Sequence, residues 1–213
     1  MTTAGALVLA GGGHSHALLL KQWAMRPKRR PKRRIVLVNR HGSALYSGMV
    51  PALIAGIDRS DVVEIDLRQL CDRAGVAFIQ AEISGLDVQR QQLQLTNRPA
   101  LTYGLLSLNV GAVSRSSNAD GMAIKPLEPA LAFLAAQEPN SRTPFGVVGA
   151  GSAGVEVVLA LRRRWPQRPL QLQSHPNQLD NLEHQILSEA DIELIEGDAG
   201  DSSLPLLLCT GSR

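Results

Sequence analysis

The sequence has few aromatic residues, few cysteines and no long hydrophobic run. Aromatic residues make up only 3% of the 213 residues, so the core must be built from aliphatic side chains. The two cysteines, Cys71 and Cys209, lie far apart, which argues against a disulfide framework and favours a reducing compartment. No stretch approaches the roughly 20 apolar residues that a membrane-spanning helix needs. The N-terminal residues lack the pattern of a secretory signal, and we expect a cytoplasmic protein.

The charge is unevenly distributed along the chain. Hydrophobic residues make up 44% and charged residues 19% of the sequence, as in an ordinary globular protein. The net charge is +3, but seven of the nine residues in 26–34 are Lys or Arg. The rest of the chain carries more acidic than basic residues, so the overall charge does not favour a nucleic-acid partner.

Residues 149–156 read Gly-Ala-Gly-Ser-Ala-Gly-Val-Glu. The apolar run 145–148 before them predicts a short buried strand, and the segment after them, 155–161, predicts a helix. A Gly-x-Gly-x-x-Gly pattern between a strand and a helix is typical of dinucleotide binding, with the pyrophosphate at the helix N-terminus. In that interpretation Gly149 permits the turn, Gly151 lets the backbone approach the phosphates, and Gly154 lets helix and strand pack closely. The alternative is a plain left-handed turn in a helix cap.

A related pattern occurs near the start of the chain. A predicted strand, 6–10, precedes Gly-Gly-Gly-His-Ser-His at 11–16, and a predicted helix, 17–23, follows. Gly11 and Gly13 match the first two glycines of the Gly-x-Gly-x-x-Gly fingerprint, whereas His16 stands at the third position. A bulky residue there predicts looser packing of the helix against the strand, or a shifted helix. His14 and His16 are two residues apart and face different sides, with no other ligand nearby, so we expect no metal site. Ser15 and Ser152 are candidates for helix capping or phosphate binding.

The second strand and its approach carry two further predictions. The run 35–38 predicts a strand that ends at Asn39, at the position where an acidic residue would hold a ribose, so Asn39 is a candidate ribose contact. The prolines and dense like charge of 26–34 predict no helix. This segment leads to the edge of the sheet opposite the ligand-binding edge. It is either a solvated loop or a contact for an anionic surface, a membrane or a nucleic acid.

The remaining elements complete a repeated order of strand, glycine turn, helix and strand. The predicted helices are 52–56, 65–71 with Gly75 as C-cap, 127–136 and 182–190. The predicted strands are 76–79, an antiparallel hairpin or meander over 82–96, 105–110, 170–174, 192–195 and 204–209. The fold class is α/β, with two Rossmann-like dinucleotide-binding units and an antiparallel β-meander in the first. The predicted boundaries are 1–113 for the first unit, 114–143 for a connecting helix and linker, and 144–213 for the second unit.

Several of these stretches together resemble a known superfamily. They look like the FAD-dependent pyridine nucleotide-disulfide oxidoreductases, in particular the type II NADH dehydrogenase-like branch and the domain fused upstream of selenide, water dikinase in some bacteria. The resemblance covers nearly the whole chain, and the residues that carry it are 11–16, 46–51, 65–67, 106–111 and 149–156.

The resemblance implies FAD on the first glycine turn and NAD(P)H on the second, with hydride transfer to the flavin and then electron transfer to a small-molecule or quinone-like acceptor. The candidate FAD-binding residues are Gly11, Gly13, His14, Ser15, Asn39, Ser47, Gly48 and Lys125. The candidate NAD(P)H-binding residues are Gly149, Gly151, Ser152, Gly154 and Glu156, the last near the junction of flavin and nicotinamide.

Three departures from the family pattern modify these expectations. The chain has no Cys-x-x-x-x-Cys pair, so disulfide reduction is not expected. Neither nucleotide strand ends in a carboxylate, since Ser174 and His175 follow the second one, and the choice between NADH and NADPH stays open. The family's return to the FAD unit, with its Gly-Asp pair, is missing, because Gly197-Asp198 precedes the last strand. We therefore expect a C-terminally truncated relative, and the alternative function is a non-catalytic dinucleotide-binding or partner-binding module.

Overall fold

The structure is a computed structural model that describes residues 5–57, 63–112, 114, 120–197 and 204–211. It divides into two compact units. Unit 1 comprises Met1–Ser47 and Val63–Gly111, and unit 2 comprises Gly48–Val62 and Ala112–Arg213. The units cut the chain differently from the sequence-based boundaries, because the short segment 48–62 belongs with the C-terminal unit.

The chain forms alternating strands and helices. The strands are β1 Leu7–Ala10, β2 Ile35–Asn39, β3 Ser43–Leu45, β4 Glu64–Asp66, β5 Ala77–Gln80, β6 Ile83–Asp87, β7 Gln92–Leu95, β8 Arg98–Thr102, β9 Leu105–Leu108, β10 Met122–Ala123, β11 Phe145–Val148, β12 Leu170–Ser174, β13 Ile192–Glu196 and β14 Leu206–Leu208. The helices are α1 His14–Met25, α2 Val50–Ile54, α3 Leu67–Ala74, α4 Leu127–Ala135, α5 Ser152–Arg164 and α6 Asn181–Glu189, with 3₁₀ turns at Pro27–Arg29 and Ser47–Met49.

Unit 1 is built on a four-stranded parallel sheet. Its strand order is β5-β2-β1-β9, and the two central strands are buried on both faces because their residues are nearly all aliphatic. The core on one face includes Leu20 and Trp23 of α1 together with Leu67 and Cys71 of α3. The antiparallel sheet β6-β7-β8 supplies Leu93 and other residues to the core on the other face. The predicted meander is therefore present, and its third strand, β8, lies beyond the predicted span 82–96.

Unit 2 is built on a five-stranded parallel sheet in the order β10-β14-β11-β12-β13. Its core includes residues of α2, α4 and α5 packed with the central strands. The α/β class with two parallel-sheet units, predicted from the alternating pattern, is thus confirmed.

A buried arginine stabilises the edge of unit 2 opposite the glycine turn. Arg168 is only 2% exposed, and its guanidinium lies 4.9 Å from the Trp165 ring centroid and 5.2 Å from that of Phe145. It donates to the carbonyl oxygens of Thr143 (3.2 Å) and Glu138 (3.1 Å). Burial lowers the pKa of Arg168, while the Glu138 carboxylate raises it. The cation therefore joins the linker before β11 to the loop after α5, a structural role.

Several local bounds differ from the sequence-based expectation. The segment 26–34 was predicted to contain no helix, and this is wrong for Pro27–Arg29, which form one 3₁₀ turn with the proline in its first position. The helix predicted at 65–71 begins at Leu67, because Asp66 is its N-cap and ends β4 instead. The pair β3-β4 and the strand β10 were not predicted, since runs of two or three residues carry no periodicity.

The basic segment lies where the sequence predicted. It connects α1 to the N-terminal end of β2, whereas the glycine turn follows the C-terminal end of β1. Because β1 and β2 are parallel, the two features lie at opposite edges of the unit 1 sheet. Within the described residues, no helix combines the length and the apolar character needed to cross a bilayer.

Candidate dinucleotide-binding sites

The first glycine turn joins β1 to α1 in unit 1. Gly11 has φ +89°, a left-handed conformation that favours glycine. A Cβ at Gly11 would lie 2.2 Å from the Asn109 carbonyl oxygen. The backbone conformation and the lack of space therefore both exclude a larger residue here. The Gly11 N–H donates to the Val38 carbonyl oxygen (2.8 Å), and the Gly13 N–H donates to that of Asn109 (3.2 Å). The turn is thereby tied to the ends of both neighbouring strands.

His16 replaces the third fingerprint glycine and is only 3% exposed. Its Nδ1 lies 2.7 Å from the Gly11 carbonyl oxygen and its Nε2 lies 2.9 Å from the Ser107 hydroxyl. Because a carbonyl only accepts, Nδ1 carries the proton and Nε2 accepts from Ser107. Burial lowers the pKa of His16 below its ordinary 6.5, against a smaller raising effect of the bond to Gly11. The imidazole thus links α1, the turn and β9 as a neutral ring.

The sequence-based expectation for His16 was looser packing or a shifted helix. The helix is not shifted along the sequence, because α1 and α5 both begin one residue after the second glycine of their turns. The His16 side chain instead lies between the helix and the turn, where it forms hydrogen bonds with the Gly11 carbonyl oxygen and the Ser107 hydroxyl. Ser107 had no predicted role, since it lies 91 residues from His16 in the sequence.

Asn39, the candidate ribose contact, lies beside the turn at the end of β2. Its Oδ1 accepts from the Gly12 N–H (2.9 Å), and its Nδ2 donates to the His41 carbonyl oxygen (2.8 Å). The side chain therefore holds the glycine turn directly, a role that the sequence pattern did not reveal. Its part in ribose binding stays a prediction.

Asn109 follows β9 and contacts the same turn from the other side. Its N–H donates to the Ala10 carbonyl oxygen (2.8 Å), and a Cβ at Gly13 would lie 2.2 Å from its Oδ1 and 2.8 Å from its Nδ2. This Nδ2 is buried and has no hydrogen-bond partner within the part of the chain that the structure describes. The sequence pattern marked the stretch around Asn109 but not this side chain as part of the site.

The second glycine turn joins β11 to α5 in unit 2. Gly149 has φ +102°, and its N–H donates to the Gln173 carbonyl oxygen (2.9 Å). A Cβ at Gly154 would lie only 1.8 Å from the Gly149 carbonyl oxygen, whereas a Cβ at Gly151 would meet nothing within 4 Å among the described residues. The third glycine is therefore required by packing, and the backbone at the second is open to a ligand.

The two helices that follow the glycine turns begin differently from α3 and α6, although the short helix α2 also begins without a side-chain cap. The helices α3 and α6 are capped by Asp66 and Asp180, whose carboxylates accept from backbone N–H groups of the first turn. By contrast, α1 and α5 have no side-chain cap and no acidic residue in the first turn, as far as the described residues show. Without such a cap, the positive end of each of these two helices is suited to an anion.

Four further residues predicted to bind FAD are exposed. His14 and Ser15 are exposed in the first turn of α1, and the His14 ring stacks on Tyr46 with 4.8 Å between centroids. Ser47 and Gly48 are exposed in a 3₁₀ turn that begins in unit 1 and ends in unit 2.

In unit 2, Ser152 and Glu156 are exposed on α5. Lys125 is also exposed, just before α4, and its backbone N–H donates to the Ser114 hydroxyl (3.2 Å). At the end of β12, Ser174 is buried and His175 is exposed. The sequence predicted that Gly197-Asp198 does not serve as the Gly-Asp pair of the family. Asp198 lies outside the described residues, so this stays a prediction.

Neither thiol has the surroundings of a redox centre. Cys71 lies in α3 and Cys209 directly after β14, one residue beyond the strand to which the sequence assigned it. Both are buried, and burial raises the pKa of each to about 12. Among the residues described, no group of three or more His, Cys, Asp or Glu side chains could hold a metal ion.

Comparison with solved structures shows the fold. The reduced CoADR-RHD of Bacillus anthracis matches with a TM-score of 0.78 and 18% identity over 99% of this chain and 44% of its own. The water-forming NADH oxidase of Lactobacillus brevis bound to NADH matches with a TM-score of 0.73 and 16% identity over 98% of this chain and 54% of its own. The sulfide:quinone oxidoreductase of Aquifex aeolicus matches with a TM-score of 0.77 and 16% identity over 99% of this chain and 59% of its own.

No protein-family model matches the sequence, and no curated protein matches it either. The chain spans about half the length of the solved structures that it resembles. Its fold is similar to that of these solved structures, and the α/β class that the sequence predicted is confirmed.

Proposed function

We propose that the chain is an FAD-dependent oxidoreductase that accepts hydride from NAD(P)H and passes electrons to a further acceptor. The observation that carries this proposal is the pair of glycine turns, each at the C-terminal edge of a parallel sheet and each opening a helix without a side-chain cap. A pyrophosphate fits such a helix end, because unpaired N–H groups and the helix dipole both favour an anion.

The residues of unit 1 suit an FAD pyrophosphate. Gly11 and Gly13 form the turn, the first turn of α1 offers His14 and Ser15, and Asn39 holds Gly12 in position. Around the rest of the cofactor, Ser47, Gly48 and Lys125 are proposed contacts on the strength of the family resemblance. When bound, the flavin supplies the hydride-accepting and electron-donating chemistry.

The residues of unit 2 suit NAD(P)H. All three glycines are present at 149, 151 and 154, and the open backbone at Gly151 supports close approach of the phosphates. Ser152 lies in the first turn of α5, and Glu156 is exposed one turn further. The Lactobacillus brevis enzyme, which has the same fold, is bound to NADH in its structure.

Visible spectroscopy and ultrafiltration test the flavin directly. Purified protein, with and without added FAD, should retain the yellow cofactor on the filter at a stoichiometry near one per chain. A matched Gly11→Val variant should lose it, because the side chain would collide with Asn109. Wild-type protein that passes all FAD through the filter contradicts the proposal.

The second candidate is a dinucleotide-binding or partner-binding module without catalysis. It needs only the binding turns and no hydride transfer, and the turn of unit 2 has all three glycines with an open backbone at Gly151. Calorimetric titration with NADH and NADPH discriminates the two functions. Binding of either nucleotide to FAD-loaded protein without flavin reduction favours the module, and reduction favours the oxidoreductase.

The electron acceptor is proposed to be a small molecule or a quinone-like compound. Separately, the basic segment 26–34 is a proposed contact for an anionic surface. Most of its Lys and Arg side chains are exposed. Liposomes with anionic lipid should co-sediment the wild type more than a variant with these residues changed to Ser and Gln. Equal co-sedimentation of both proteins removes the surface contact from the proposal.

A further inference from the structure

Asn109 is a half-buried residue whose side-chain Nδ2 is shielded from solvent and unused beside the first glycine turn. Nδ2 has no hydrogen-bond partner among the described residues although it is shielded from solvent. An unsatisfied buried donor is costly for a folded protein and calls for an explanation. The backbone of Asn109 does not provide one, because its N–H and carbonyl are already bonded to Ala10 and Gly13.

The side-chain amide of Asn109 lies next to the part of the turn where a ligand is proposed to bind. It lies against Gly13, where an added Cβ would be 2.2 Å from Oδ1 and 2.8 Å from Nδ2. Gly13 corresponds to the second fingerprint glycine, at which the backbone approaches a pyrophosphate. It is also the N-cap of α1, whose first turn carries no acidic residue within the described chain.

The equivalent position in unit 2 is different. Cys209 follows β14 as Asn109 follows β9, and the two N–H groups make equivalent bonds to Val148 (2.7 Å) and Ala10 (2.8 Å). Apart from its neighbours in the chain, nothing lies within 4 Å of a Cβ at Gly151, so no amide among the described residues of unit 2 lies against its second glycine. The unused donor is therefore a property of the first turn and not of the shared fold.

We infer that Asn109 is a dinucleotide-binding residue, whose Nδ2 donates to a phosphate oxygen of the ligand on the first turn. The inference rests on the proposed function, in which that ligand is FAD. The donor has no partner among the described residues of the free protein, and ligand binding would pair it with an anionic acceptor. The cost of the unpaired donor is thus removed when the ligand binds.

The test separates a binding role from a structural one. In Asn109→Leu, a substitution of similar size, FAD and ADP should bind about 10- to 100-fold more weakly, as expected for one lost hydrogen bond to a charged group. The midpoint of unfolding without ligand should stay equal or rise, because an unsatisfied polar group has been replaced by an apolar one. A purely structural residue would lower the ligand-free stability instead.

If Asn109→Leu does not fold, Asn109→Asp takes its place in the test, because it keeps the shape of the side chain. Its carboxylate should repel the phosphates and weaken FAD and ADP binding at least as much. Asn140→Leu, an exposed substitution in unit 2, controls for the added apolar group, and NADH affinity should be unchanged in every variant. In isotope-labelled wild-type protein, the NMR signal of the Asn109 side-chain amide should shift when ADP is added.

The outcomes are distinguishable. If wild-type protein binds FAD and both Asn109 variants bind it equally well, the inference is overturned and the proposed function stands. If ligand-free stability falls in parallel with affinity in both variants, Asn109 is structural and the inference is again overturned. If wild-type protein binds neither FAD nor ADP, the proposed function and this inference fail together.

Discussion

The two glycine turns begin their helices at equivalent positions and differ in how helix and strand are held together. In unit 2 the close approach is steric, because Gly154 leaves no room for a side chain against Gly149. In unit 1 the same contact is polar, because the His16 imidazole bridges Gly11 and Ser107. The third glycine of the fingerprint is therefore one of two solutions to the same packing problem, and its absence in unit 1 does not remove the phosphate-facing part of the turn.

Gly154→Ala should have the largest effect in this comparison. The new methyl group would overlap the Gly149 carbonyl oxygen, and overpacking of this kind costs about 3 kcal/mol in the free energy of unfolding. Chemical denaturation should show this loss, and NADH binding should fall with it. Gly151→Ala is the matched control, because its methyl group meets open space, and it should unfold like the wild type.

His16→Ala should have the next largest effect. It leaves the Gly11 carbonyl and the Ser107 hydroxyl without their buried partner, which we expect to cost about 2 kcal/mol. Denaturation of this variant and of His184→Ala, an exposed histidine on α6, measures the difference. Equal stability of the two variants would mean that the polar bridge contributes nothing and that the comparison of the turns is wrong.

The pH dependence of stability sharpens the same point. The folded protein keeps His16 neutral, whereas the unfolded chain protonates it near its ordinary pKa of 6.5. Protons therefore favour the unfolded state, so the contribution of His16 is complete above that pH and is lost as the pH falls through the lowered folded-state pKa. The stability gap between wild type and His16→Ala should narrow from pH 8 to pH 5. A gap that widens at low pH would show that the folded state prefers the imidazolium.

The smallest difference is expected between the two thiols, one in each unit. Burial raises the pKa of Cys71 and of Cys209 to about 12, so neither forms a thiolate at neutral pH. A maleimide reagent should label both only after denaturation. Rapid labelling of either thiol in the native protein would restore the possibility of a thiol-based reaction.

Much of the fold could be predicted because its signals are local. Aliphatic runs such as 6–10 and 145–148 lie next to glycine turns, and both strands were predicted to within one residue of their observed ends. Short pairs such as β3-β4 have only three residues each and no pattern to recognise. The position of a glycine turn is written in a few neighbouring residues, whereas the partner of a weak strand is not.

The site was predicted less completely because its side-chain contacts are long-range. The bond between His16 and Ser107 joins residues 91 positions apart, and that between Gly12 and Asn39 joins residues 27 apart. Asn109 reaches the turn only because β9 pairs with β1 in parallel. Nothing in the local sequence signals such contacts, so the backbone of each site was predictable and the polar groups that hold it were not.

Anaerobic titration of FAD-loaded protein with NADH and with NADPH tests the central claim most directly. If the first turn holds a flavin and the second a nicotinamide, one of the two nucleotides should bleach the visible flavin absorbance stoichiometrically, and Gly154→Ala should abolish the bleaching while FAD remains bound. Full binding of FAD and of both nicotinamide nucleotides with no loss of flavin absorbance would contradict the account and leave a binding module in its place.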